Sequence, residues 1–102
     1  MTVDFTTAID EKEPIKTIAS ISTNFVEVIY PDPVKRITIS HPTKKLYLSF
    51  SYEDGDSGTA TNSAICAAGQ YFSMSVPDGL DRCQIASATG TATTVIFIME
   101  VF

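Results

Sequence analysis

Apolar side chains fall at every second position through most of this chain, and nowhere at helical spacing over three turns. A period of two puts successive residues on opposite faces of a strand, so the pattern commits the chain to sheets. In KLYLSFSYE, Leu46, Leu48, Phe50 and Tyr52 share one face, and Tyr47, Ser49, Ser51 and Glu53 the other. QYFSMSVP sets Phe72, Met74 and Val76 against Tyr71, Ser73 and Ser75, and VKRITISH sets Ile37 and Ile39 against Arg36, Thr38 and Ser40. RCQIAS sets Cys83 and Ile85 against Arg82, Gln84 and Ala86. FVEVIY is apolar on both faces apart from Glu27, and IKTIASIST is a weaker strand.

The turn residues agree with this. Gly69, Gly79 and Gly90 each stand beside turn-forming neighbours at near-regular spacing, and Pro31 and Pro33 end one strand and start the next. EDGDSGTATN, residues 53–62, is the one long loop, and a short helical turn is allowed near Ala8 to Glu13. These signals predict an all-β fold: an antiparallel β-sandwich or jelly-roll-like domain of about seven or eight strands. At 102 residues there is room for one core, placed at 15–102. Residues 1–14 differ from the rest and are either an arm that packs on a neighbour or a frayed terminus.

The closing stretch TATTVIFIMEVF poses the functional question. Val95, Phe97, Met99 and Val101 point one way, while Ile96, Ile98 and Phe102 point the other. A strand on a small solvated sheet keeps one face polar, so the second apolar face needs a cover: another sheet or another subunit. Ile96, Ile98 and Phe102 are therefore the candidates for self-association.

Composition narrows the partners. A net charge of −5 and a pI near 4.5 argue against nucleic acid and anionic membranes. The longest apolar run, Val95 to Met99, is far short of the roughly 20 residues of a membrane-spanning helix. The acidic start MTVDFTTAIDEKEPIK has no apolar stretch of a secretory leader, so synthesis in a cytoplasm is expected. Cys66 and Cys83 lie in strand-like segments and are expected to be free, buried thiols.

Candidates for chemistry are thin. His41, the only histidine, precedes Pro42 at a strand end and reads as a surface turn residue without the partners a general base needs. Glu53, Asp54 and Asp56 resemble part of a calcium loop, but the twelfth position counted from Asp54 is Ile65, so a solvated turn is expected. No catalytic residue, metal site or cofactor is predicted. Lys35, Arg36, Lys44 and Lys45 are four of the seven basic residues in a stretch without acids. They are solvated strand ends or, more pointedly, a docking patch for an acidic protein surface. Tyr47 and Tyr71, on the polar faces of their strands, are candidates for sugar contact.

Three stretches, ITISHPTKKLYLSFSYEDG, AICAAGQYFSMSVPDGL and CQIASATGTATTVIFIMEV, resemble a pattern of small virion proteins of tailed bacteriophages. The resemblance spans Arg36 to Met99. It implies a compact β-sandwich on a phage particle, made in the host cytoplasm and binding the major capsid protein or other virion proteins. Its closest expectation is a capsid decoration (cement) protein, non-enzymatic and homotrimeric. The alternative is a receptor- or glycan-binding module of a tail fibre or adaptor, which would use Tyr47 or Tyr71. The chain departs from the pattern in its longer, more apolar stretch from Phe5 to Tyr30. A small hydrolase or metal enzyme would need His41 or a bound metal.

Overall fold

The computed structural model of the chain describes residues 2–5, 15–31, 34–50, 63–76, 80 and 82–100. Among them run nine strands and no helix: β1 (Thr2–Asp4), β2 (Ile15–Ile21), β3 (Val26–Ile29), β4 (Arg36–Ser40), β5 (Leu46–Ser49), β6 (Ala64–Cys66), β7 (Tyr71–Ser75), β8 (Arg82–Ser87) and β9 (Ala92–Glu100). They form a five-stranded sheet, β1-β3-β8-β5-β6, and a four-stranded sheet, β2-β9-β4-β7. The expected all-β sandwich is what the chain forms.

The pairing has a simple logic. β5 and β6 make the tip of one long hairpin, whose arms continue as β4 with β7, β3 with β8 and β2 with β9, all antiparallel. This hairpin is rolled up so that β4 also meets β9 and β5 also meets β8. Eight strands in that order are a jelly roll. The ninth, β1, runs parallel to β3 at the sheet edge, within the segment assigned to an arm or frayed end. There Val3 and Phe5 pack on the chain's own core, with the Phe5 ring 5.5 Å from that of Phe97, and the Phe5 N–H donates to the Ile29 carbonyl at 2.8 Å.

The alternation seen in the sequence becomes the core. Ile37, Ile39, Leu46, Leu48, Cys83, Ile85, Val95, Phe97 and Met99 are buried between the sheets, with Phe50, Phe72, Met74 and Val76 partly buried around them. Each fully buried large side chain stabilises by about 1.5–3 kcal/mol. Tyr30 is buried too, and its hydroxyl donates to the Arg82 carbonyl at 3.2 Å.

β2 is weak in the sequence for a structural reason. Its buried residues are Ile18 and Ile21, three apart, which breaks the period of two. The partner strand breaks it at the same place: Ala92 and Val95 are buried, Thr93 and Thr94 are not. Thr94 carries φ +55°, the left-handed region that β-branched residues avoid. The register is continuous on either side, Ile18 with Val95 and Ile21 with Ala92, so both strands turn over together around Thr94.

Candidate functional site

The outer face of the four-stranded sheet answers the question posed by the last strand. β9 lies inside that sheet, between β2 and β4, with Val95, Phe97 and Met99 in the core. Ile96 and Ile98 are half-buried on the other face, which no second layer of the described residues covers. Ile98 stands between Ile15 and Thr38, and Thr38 opposite Ser73. Ile96 stands between Thr17 and Ser40, and Ser40 opposite Tyr71. Ile15 is 59% and Tyr71 64% exposed. These two rows hold apolar side chains and hydroxyls and no charge. Thr38 and Ser73 satisfy each other through a 2.6 Å hydroxyl–hydroxyl bond. Arg36 and Glu100 sit opposite each other in the row beyond. Two rows across four strands project to roughly 270 Å², against roughly 800 Å² per partner in a standard interface. This is the centre of an interface rather than all of one. Ile15 was missed from sequence because its strand lost the period of two; the Ile15, Ile18, Ile21 spacing was the available signal. Phe102 lies outside the described residues.

The four basic residues do not form one patch. Lys35 and Arg36 stand at the start of β4, Lys44 and Lys45 beyond its end, so the strand separates them by about 13 Å or more at 3.3 Å per residue. The Lys35 N–H donates to the Glu100 carbonyl at 2.8 Å, tying that end to β9. At the other end the Lys45 carbonyl accepts from Ala88 at 2.9 Å, and the Lys45 ammonium lies 5.9 Å from the centre of the Tyr47 ring.

Tyr47 and Tyr71 are also apart. Tyr71 is on the outer face of the four-stranded sheet and Tyr47 on that of the five-stranded sheet, so they cannot flank one sugar. Tyr47 pairs instead with Phe25, the rings stacked at 6.5 Å and 16°.

His41 is a turn residue, but the expectation of a surface position is overturned: it is 5% exposed. Nδ1 accepts from the N–H groups of Thr43 at 3.2 Å and Lys44 at 3.0 Å. Two donors at Nδ1 leave the ring proton on Nε2, which donates to the Thr93 carbonyl at 2.8 Å. The His41 carbonyl accepts from Gly69 at 2.8 Å. Gly69 has φ +77° within an Ala67–Gln70 turn closed at 3.1 Å, a type II turn that needs such a residue third. One histidine thus ties its own β4–β5 arch to the β6–β7 turn and to the start of β9. Nothing local in the sequence shows this, because the Thr93 carbonyl stands 52 residues away in the chain and only the fold brings it to the ring.

Cys66 and Cys83 are free and buried, as expected. Burial pushes both thiols above their ordinary range, strongly for Cys83; a backbone hydrogen bond from Phe72 partly offsets it for Cys66. Neither is a poised nucleophile. Among the described residues no group of three or more His, Cys, Asp or Glu could hold a metal, and no helix is long and apolar enough to cross a membrane. Glu53, Asp54 and Asp56 lie outside the described residues. No family model matches the chain, and no curated protein is detectably similar to it in sequence.

Proposed function

We propose that the chain is a structural, non-enzymatic protein of a bacteriophage virion, of the capsid-decoration kind, which joins its own copies and binds the capsid. One observation carries this: the two uncharged rows on the outer face of the four-stranded sheet, where Ile15, Ile96, Ile98 and Tyr71 meet solvent. Covering a large apolar side chain there contributes on the order of 1.5–3 kcal/mol, and a particle repeats a modest contact many times. The jelly roll recurs in viral capsid domains and in lectins, which agrees with the reading but, as fold analogy, does not select it. His41 is committed to three backbone hydrogen bonds, which supports a non-catalytic role. The trimeric number comes from the sequence resemblance alone.

The decisive experiment is mass spectrometry and antibody labelling of purified particles from the phage that encodes the chain. A copy number matching the capsid lattice, with label over the head, is expected. Absence from particles overturns the proposal, and label at the tail tip moves it to the receptor-binding alternative. Charge reversal at Lys44 and Lys45 should weaken capsid binding more than reversal at Lys35 and Arg36.

A further inference from the structure

The outer face of the five-stranded sheet carries a second apolar surface that periodicity alone did not reveal. β8 is the middle strand, and Ala86 points outward from it, opposite Tyr47 of β5, which in turn stands opposite Ile65 of β6. Continuing the β3–β8 register by one residue from Val26–Ile85 puts Phe25 on the other side of Ala86. Phe25, Ala86, Tyr47 and Ile65 thus form one row across four strands. Ala86 faces outward yet is fully buried, because the two rings lean over it. Strands flanking a shared neighbour are about 9.6 Å apart, so only a small residue between them lets the rings close to 6.5 Å. Ile65 remains 51% exposed at the sheet's edge.

Among the described residues, the charge around this row has one sign on one side. Lys45, two residues before Tyr47, shares its face and holds its ammonium at the ring. The Lys44 ammonium lies beside Gly90, in the arch that Lys45 itself binds through Ala88. On the opposite side Glu27 is paired with Arg82 at 2.8 Å, so its charge is already met. A flat aromatic and aliphatic strip bordered by two ammonium groups complements a segment with carboxylates next to an apolar side chain.

We propose that this face is a docking surface for an acidic segment of a partner protein. Phe25, Tyr47 and Ile65 receive the apolar residue, and Lys45 with Lys44 receives the carboxylates. The aromatic pair supplies rigid contact area, and the ammonium groups set orientation and rate. This face is distinct from the self-association face, and the inference does not depend on the virion reading.

The test is an NMR titration of the ¹⁵N-labelled full chain with acetyl-Asp-Glu-Leu-Asp-Glu-amide and with its Asn/Gln counterpart. The acidic peptide should move the amide resonances of Lys45, Tyr47, Ile65 and Ala86. The amide peptide should bind at least tenfold more weakly, as should the acidic peptide to Lys45→Glu and to Tyr47→Ala. Lys45→Gln, which keeps the side-chain stem, should give an intermediate loss. No shift with the acidic peptide, equal binding of both peptides, or shifts confined to the four-stranded sheet overturns the proposal. So does movement of the same resonances on raising protein concentration alone, which assigns the face to a second copy, or on adding maltohexaose, which assigns it to sugar.

Discussion

Replacing His41 separates the two jobs its ring performs. His41→Ala removes the acceptor for the Thr43 and Lys44 N–H groups and the donor to the Thr93 carbonyl. A hydrogen bond contributes about 0.5–1.5 kcal/mol net, and a buried group left unpaired costs about 1–3 kcal/mol. The Lys44 and Thr43 donors can partly recover water at the exposed edge of the turn, so the loss is about 2–4 kcal/mol. Asparagine carries an acceptor where Nδ1 sits and should restore the turn, leaving a loss of about 1 kcal/mol. Glutamine reaches the Nε2 position and should restore only the bond to Thr93. The assay is urea unfolding with a shared slope, where a slope of about 1 kcal/mol/M turns the alanine loss into a midpoint shift of about 2–4 M. An alanine variant within about 0.5 kcal/mol of wild type, the range of ordinary surface substitutions, refutes the reasoning. Asparagine no better than alanine would do the same for the assignment of Nδ1.

Three further outcomes follow from other parts of the molecule. Thr94→Gly should raise stability by about 0.5–1 kcal/mol, since it relieves a left-handed residue costing about 1–2 kcal/mol and gives back part in backbone entropy; a lower urea midpoint contradicts the strain. Ile98→Asp should shift sedimenting wild-type oligomers to monomers at micromolar concentration, and a monomeric wild type removes the self-association. The thiols keep their protons in the folded chain but ionise when unfolded above the ordinary value of 9.0. Above that pH the unfolded state binds fewer protons, so stability is full below it and falls as pH rises, by up to about 1.4 kcal/mol per unit for each thiol. Cys83→Ala should flatten that slope between about pH 9 and 11 relative to wild type, and an unchanged slope sinks the assignment.

What the sequence determined by itself is everything carried by near neighbours. The period of two in 45–53 and 70–77 commits those stretches to strands and names their inner residues, because alternation is a property of one extended backbone. The turn at Gly69, the free buried thiols and the two apolar faces of the last strand were legible for the same reason. The remaining features needed contacts between distant parts of the chain. Only the rolled hairpin brings Ile15 beside Ile98, parts Lys35 and Arg36 from Lys44 and Lys45, and sets Tyr47 and Tyr71 on opposite sides of the sandwich. Only the arches turn His41 inward, and only the register across β8 stacks Phe25 on Tyr47 above Ala86. Which face of a strand is apolar is written locally; what stands beside that face depends on register between strands far apart in the chain, and that is decided when the sheets close.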